Sequence, residues 1–281
     1  MPLPCRSLRV FRAVFLLLAL PLASGAAGQP APAGDTGSDE RMPEALRLEE
    51  RRTGTSFLSP ALTAQQADDG ANPGMLWVET GAELWKAPAG TEGKSCATCH
   101  GDATRSMKGV AARYPMVDPG SGKLMNLELR INDCRGGRQG AAPLPFESNE
   151  LLSLTAYIAH QSRGLPIAVD TGGAAAPILE AGRAFFTTRQ GQLNLACTQC
   201  HDENWGRKLR GDTISQGHPT GFPIYRLEWQ SMGSLHRRLR ACSLGVRAEV
   251  LDYGSPEYLA LELYLAWRAR GLAIETPAIR R

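Results

Sequence analysis

Two short runs of the chain combine a pair of thiols with an imidazole. Each is a complete C-x-x-C-H motif: Cys96, Cys99 and His100 form the first, and Cys197, Cys200 and His201 form the second. Two cysteines at this spacing can add to the two vinyl groups of one porphyrin, and the adjacent histidine then reaches the iron as its proximal ligand. A zinc site would have to pool ligands from both motifs, and neither a redox dithiol nor a disulfide accounts for the histidines. The motifs therefore predict two covalently bound haem c groups.

One lone cysteine follows each motif, Cys134 after the first and Cys242 after the second. Haem iron takes a further ligand, which is commonly Met or His. The methionines have no matching places in the two halves of the chain, whereas these two cysteines do. The pattern favours Cys134 and Cys242 as thiolate ligands, which would lower both reduction potentials. A disulfide between the two cysteines, two buried free thiols and other iron ligands remain as alternatives.

The segments around the motifs also repeat. Gly81 precedes the first motif as Gly182 precedes the second, and an amphipathic helix follows each lone cysteine, at 151–160 and at 256–267. These signals predict a mostly α fold built from two tandem cytochrome c-like haem domains that arose by duplication. The expected boundaries are 75–172 for the first haem domain and 173–281 for the second.

The start of the chain has the pattern of a secretory signal peptide. Three arginines, an apolar run and a stretch of small residues follow one another within 1–26. We expect this segment to be cleaved on export, which leaves no membrane span in the mature chain. Residues 27–74 are polar, charged and rich in Gly and Pro, and they predict an irregular, weakly structured N-terminal arm.

The charge balance excludes one class of partner. The chain has 31 basic and 28 acidic residues, and loss of Arg6, Arg9 and Arg12 with the signal peptide removes the basic excess. A mature chain without net charge gives no compositional support for nucleic-acid binding.

The combination of features resembles the SoxA family, the dihaem subunits of thiosulfate-oxidising SoxAX cytochromes. It consists of the two motifs, the lone cysteine after each, the run RRLRAC at 237–242 and the run YLALELYLAWR at 258–268, and it covers the chain from 75 to 281. The resemblance implies an L-cysteine S-thiosulfotransferase that joins thiosulfate oxidatively to a cysteine of a carrier protein, SoxYZ. It also implies a heterodimer with SoxX, a small cytochrome c that receives the electrons.

The resemblance further implies that Cys242 is the catalytic residue, in the form of a cysteine persulfide, and that Arg238 binds the substrate. Guanidinium groups suit tetrahedral oxyanions, so Arg247 and Arg268 are further candidates for anion binding. For Arg268 a haem propionate is a second possible ligand, and a structural role at the end of its helix is the alternative. Arg237 and Arg240 also flank Cys242, where a solvated basic face explains them equally well.

Two other classes of function compete with the sulfur-transferring enzyme. A dihaem electron carrier without catalytic activity would not need an arginine cluster beside an iron ligand. A dihaem peroxidase would need an open iron position, which a lone cysteine matched to each motif disfavours.

Overall fold

The structure is a computed structural model and describes residues 48–281. The predicted signal peptide, 1–26, and the first part of the predicted arm, 27–47, lie outside this range. The described residues are mainly helical, and none of their helices has the length and apolarity needed to cross a membrane. The α-helices are α1 Pro60–Ala67, α2 Met75–Lys86, α3 Cys96–His100, α4 Ala103–Ser106, α5 Leu127–Cys134, α6 Asn149–His160, α7 Ala176–Thr187, α8 Cys197–His201, α9 Leu235–Gly245 and α10 Pro256–Arg268. The strands are β1 Met116–Val117, β2 Leu124–Met125, β3 Lys208–Leu209, β4 Asp212–Thr213, β5 Ile224–Arg226, β6 Ser231–Gly233 and β7 Ala278–Arg280.

Helices α2 and α6 form a tightly packed pair in the first half. The Ser148 hydroxyl accepts the Leu151 N–H and caps α6, whose apolar side chains are buried over most of its length. Gly81 of α2 lies directly against α6, where an added Cβ would collide with the Ser153 carbonyl and with Cβ of Tyr157. Only glycine allows the two helices to approach this closely.

Helices α7 and α10 form the corresponding pair in the second half. Ser255 caps α10 by accepting the Tyr258 N–H at 3.3 Å. A Cβ added at Gly182 of α7 would collide with the Ala260 carbonyl and approach Cβ of Tyr264. In both pairs, therefore, a glycine of one helix lies against a tyrosine of the other helix and against the residue four positions before that tyrosine. The helix packing of the first half recurs in the second half, as the sequence repeat predicts.

The second half also contains a small sheet of order β6-β5-β7. Strand β5 is central: Ile224 pairs with Gly233 of antiparallel β6 and with Ala278 of parallel β7. The sheet brings the C-terminal residues beside the segment that follows the second motif. Its central strand ends at Arg226, beside the functional site described below.

The described part of the predicted arm is more ordered than its composition indicates. It contains two 3-10 turns and one α-helix, namely Leu48–Glu50, Gly54–Phe57 and α1. Gln66 Oε1 accepts the Ile279 N–H at 3.0 Å, and Asn72 Nδ2 donates to the Pro277 carbonyl at 2.8 Å. Both side chains are buried. The prediction of weak structure is wrong for these residues, because their order comes from hydrogen bonds to Ile279 of β7 and to Pro277 just before it, more than 200 positions away.

The predicted domain boundary lies at Gly172, before the 3-10 turn Gly173–Ala175 that leads into α7. Residues that precede this boundary pack closely against residues that follow it. One buried apolar cluster contains Ala112 and Leu124 from the first half and Leu259 and Leu263 from the second.

Buried ionisable groups also lie between the two halves. Glu128 of α5 is near Glu262 of α10, and His236 Nε2 of α9 lies 3.0 Å from Glu262 Oε2. The negative charge of Glu147, in the segment before α6, also acts to raise the pKa of the Glu128 carboxyl. Burial, followed by the negative charge of Glu262, raises the pKa of the Glu128 carboxyl to about 7. Ionised Glu128 is therefore unfavourable in the folded protein.

We expect Glu128→Gln to flatten the pH dependence of stability. Because the folded-state pKa of Glu128 lies above its unfolded value of 4.5, the folded parent protein holds the proton more tightly and loses stability as pH rises through this window. The variant should gain up to about 3 kcal/mol over the parent between pH 5 and pH 8. Denaturant unfolding of both holoproteins measures this, with exposed Glu83→Gln as the control. Parallel pH profiles for parent and Glu128→Gln would contradict it.

Candidate functional site

Both C-x-x-C-H runs form one-turn helices, α3 and α8. Before α3, the Ser95 hydroxyl accepts the Thr98 N–H and the Thr98 hydroxyl accepts the Ser95 N–H, each at 3.1 Å. At α8, Gln199 Oε1 accepts the Ala196 N–H at 2.8 Å, while Ala196 cannot return a side-chain bond. These contacts fix both turns. Because residues three apart share a helix face, the two cysteines of each motif lie on one side.

The first motif lies beside Cys134, the last residue of α5. Burial is the largest cause that raises the pKa of the Cys96 and Cys134 thiols. Neighbouring thiols raise these values further, since Cys134 is close to Cys96 and Cys99 is close to Cys134. The His100 ring lies 5.8 Å from the Trp85 ring, measured between centroids. The structure thus brings together the three cysteines predicted for the first haem site, and His100 directly follows Cys99 in α3.

The second motif lies beside Cys242, which is on α9. His201 Nδ1 lies 2.7 Å from the Ser215 carbonyl oxygen, to which it donates, so Nε2 is the nitrogen that can bind a metal. The same imidazole makes a hydrogen bond with the Cys242 thiol. Cys242 raises the pKa of the Cys197 and Cys200 thiols, so the three cysteines lie close together. This donor set, an oriented imidazole facing a thiol beside a pair of cysteines, fits a covalently attached haem.

The Cys242 thiol differs electrostatically from four of the other cysteine thiols. Burial raises the pKa of Cys197 to about 12 and raises those of Cys96, Cys134 and Cys200. At Cys242 burial acts in the same direction, but the hydrogen bond from His201 and the charges of Arg238 and Arg226 outweigh it and bring the pKa to about 7. Cys242 is also partly exposed. Its surroundings therefore favour a reactive thiolate.

None of the six cysteines within 48–281 forms a disulfide. The alternative of a disulfide between Cys134 and Cys242 does not occur, because each lies beside a different motif.

Arg238 lies one helical turn before Cys242 on α9. The Ser234 hydroxyl starts this helix by accepting the Arg237 N–H at 3.1 Å. Residues four apart share a helix face, so Arg238 and Cys242 lie on the same side of α9. The Arg238 guanidinium makes no hydrogen bond or ion pair with any residue in the described part of the chain. Its donors are available to a ligand next to Cys242.

The two other predicted anion-binding arginines have different surroundings. Arg268 is buried, forms an ion pair with Asp202, and its guanidinium lies 4.5 Å from the ring centroid of Phe186. Its Nε has no partner within the described residues. Arg247 is exposed and has a left-handed φ of 57°. These positions favour a structural role for Arg268 and place Arg247 in a surface turn.

Arg237 and Arg240 also have protein partners. The Arg237 guanidinium lies 4.2 Å from the Trp229 ring centroid and its Nη1 is 3.7 Å from Glu147 Oε2. Arg240 donates to the Leu251 carbonyl and lies 4.6 Å from the Tyr253 ring centroid. Both contacts favour the structural interpretation of these arginines.

Three residues of the second site are not among those predicted from the sequence. Ser215 orients the His201 ring through its carbonyl, Asp202 pairs with Arg268, and Arg226 of β5 acts on the Cys242 thiol. Asp202 directly follows His201, so its position in the sequence could have indicated that it lies at the second site. Ser215 and Arg226 belong to no local motif, and only the fold brings them to the site.

Comparisons with known proteins place the chain among its relatives. Residues 80–167 match the family model of the SoxA/TsdA cytochrome c domain. The chain is 44% identical over 240 residues to the L-cysteine S-thiosulfotransferase subunit SoxA of Pseudaminobacter salicylatoxidans, covering 85% of this chain and 84% of that protein. It is 40% identical to the subunit of the same name from Rhodovulum sulfidophilum, covering 83% and 82%. The crystal structure of SoxXA from P. pantotrophus superimposes with a TM-score of 0.80 at 38% identity, covering 82% of this chain and 87% of that chain.

Proposed function

The chain belongs to the SoxA family of L-cysteine S-thiosulfotransferase subunits, and on that premise we propose that Cys242 accepts thiosulfate and passes it to a cysteine of a carrier protein. One observation carries the assignment: a thiol with a pKa lowered to about 7 lies beside an arginine without a protein partner. An electron carrier would have no need of either feature. The first site lacks this combination, because burial keeps the pKa of the Cys134 thiol raised although Arg130 and Arg138 act on it.

The sulfur chemistry balances in two steps. First, the Cys242 sulfur, as a thiolate or persulfide, forms a bond to the outer sulfur of thiosulfate with loss of two electrons. The carrier thiolate then attacks that outer sulfur, the bond to Cys242 breaks, and Cys242 leaves with the electron pair. Arg238 binds the sulfonate end throughout, since its guanidinium lies on the same helix face as the thiol.

A cytochrome c domain implies covalently bound haem c. We propose two such groups, the first held by Cys96, Cys99, His100 and Cys134, and the second by Cys197, Cys200, His201 and Cys242. When bound, haem supplies the acceptor for the electrons released by the sulfur chemistry. The Ser215 carbonyl orients the His201 imidazole for this role.

The wider assignment follows the same premise. The repeated packing of α2 with α6 and of α7 with α10 supports two tandem cytochrome c-like haem domains, 75–172 and 173–281. The likeness to the SoxXA structure implies a SoxX-like cytochrome c partner, to which the electrons pass in a heterodimer. We propose a SoxYZ-like protein as the carrier and the periplasm as the location, reached through cleavage of the signal peptide 1–26.

A reconstituted assay tests the function. The holoprotein, its small cytochrome partner and a SoxYZ-like carrier are mixed with thiosulfate and an oxidised acceptor cytochrome. We expect the carrier to gain one thiosulfonate group by mass spectrometry for every two electrons transferred. Reduction of the acceptor without modification of the carrier would contradict the enzyme and favour the alternative, a dihaem electron-transfer cytochrome.

A further inference from the structure

Arg226 is a buried arginine that no sequence motif indicates. It is the last residue of β5, in the centre of the β6-β5-β7 sheet, and its side chain is only 6% exposed. Its neighbour across the parallel pairing is Arg280. A charge this deep in a protein requires partners for its donors.

The protein partners of Arg226 are incomplete. Its Nη2 is shared between Asp212 Oδ2 at 3.4 Å and Glu228 Oε2 at 3.1 Å, and these carboxylate side chains are 42% and 68% exposed. Ion pairs with carboxylates as exposed as these contribute little stabilisation. The guanidinium also lies 5.1 Å from the Trp229 ring centroid. Its Nε is buried and makes no hydrogen bond within the described residues. One directional donor thus remains available.

The guanidinium that carries this donor is near enough to the reactive thiol for its charge to act there. The positive charge of Arg226 favours the Cys242 thiolate, and the positive charge of Arg238 lowers the pKa of Arg226. Arg280 differs, because it is bonded to Glu275 and Gln66. Arg226 and Arg238 therefore form a pair of like charges beside Cys242, without a carboxylate that neutralises both. A bound oxyanion would remove this repulsion and use the free donors of both arginines.

We propose that Arg226 is a second oxyanion-binding residue of the Cys242 site and that it holds the sulfonate of thiosulfate together with Arg238. This inference rests on the proposed function. A sulfonate offers three oxygens, so two guanidinium groups can bind it from different sides. The carboxylate of a haem propionate has the same acceptor chemistry, and the experiment separates the two sources.

The test uses Arg226→Lys and Arg226→Gln in the holoprotein. Lysine keeps the charge but has no Nε donor, and glutamine removes the charge. Arg237→Gln is the matched control, because Arg237 lies over the same Trp229 ring but is paired with Glu147. Three quantities are measured: covalent haem content, midpoint potentials of the haems, and the Kd for thiosulfate by calorimetry without carrier.

We expect both Arg226 variants to bind thiosulfate about ten- to a hundredfold more weakly, with KM raised in the complete assay. Haem content should stay at the parent value in both variants and the midpoint potentials should stay at the parent values in Arg226→Lys, which keeps the charge, while Arg237→Gln should bind thiosulfate normally. A shifted potential with an unchanged Kd would overturn the proposal in favour of a propionate contact. An equal loss in Arg237→Gln would also overturn it, since the effect would then be indirect.

The failure of this inference is separable from failure of the function. If both Arg226 variants bind thiosulfate normally while Cys242→Ala still abolishes turnover, Arg226 is excluded from the substrate site and the proposed function stands. If turnover survives in Cys242→Ala, the proposed function itself fails.

Discussion

Cys242→Ala lowers thiosulfate conjugation at least about a thousandfold, because it removes the atom that forms the bond to sulfur. Its covalent haem content should stay at the parent value, since Cys197 and Cys200 are the residues proposed to form the thioether bonds. Loss of the thiol also changes the spectrum of the second haem. The measurement is the rate of carrier modification, with haem content determined on the same samples.

Cys134→Ala is the matched control for Cys242. Cys134 has the equivalent place beside the first motif, but its pKa is raised and the nearby Arg130 is held by two carboxylates. This variant should change the spectrum of the first haem and still modify the carrier. If Cys134→Ala were inactive and Cys242→Ala active, the two sites would have to exchange roles.

Arg238→Ala should lower activity about ten- to a hundredfold, because a charge-assisted contact to a bound anion contributes about 1.5–3 kcal/mol. Haem content and spectra should remain close to the parent, since Arg238 makes no bond to the protein that the fold would lose. Arg238→Lys should recover only part of the activity, because an ammonium lacks the planar two-point fork.

The neighbouring Arg240 is the control for this prediction. It binds the Leu251 carbonyl and the Tyr253 ring, so Arg240→Ala should retain activity near that of the parent once folding is confirmed. Steady-state kinetics with carrier and partner present measure both variants. Parent-like activity in Arg238→Ala would remove this arginine from the mechanism.

Local signals in the sequence predicted the parts of the fold and site that depend on short spacing. The C-x-x-C-H runs, the caps at Ser148 and Ser255 and the helix periodicity each lie within a few residues. The repeat of glycines 81 and 182 against matching tyrosines shows why the duplicated pattern was visible in the sequence.

Contacts between distant segments could not be predicted in the same way. Arg226 is in a three-residue strand, and its approach to Cys242 depends on the pairing of that strand within the sheet. The order of the arm depends on Gln66 and Asn72 bonding to the C-terminal strand region. In both cases polar residues with no local pattern acquire their role from the tertiary structure.

The central claim is that Cys242 carries the sulfur during transfer. The most direct test incubates the holoprotein with an oxidised cytochrome acceptor and thiosulfate labelled with a heavy isotope at its outer sulfur, without carrier. Peptide mass spectrometry then locates the label. The account predicts labelled sulfur on the peptide that contains Cys242, released when carrier is added, and none on the peptide that contains Cys134. An unlabelled Cys242 peptide, or equal labelling of both peptides, would contradict it.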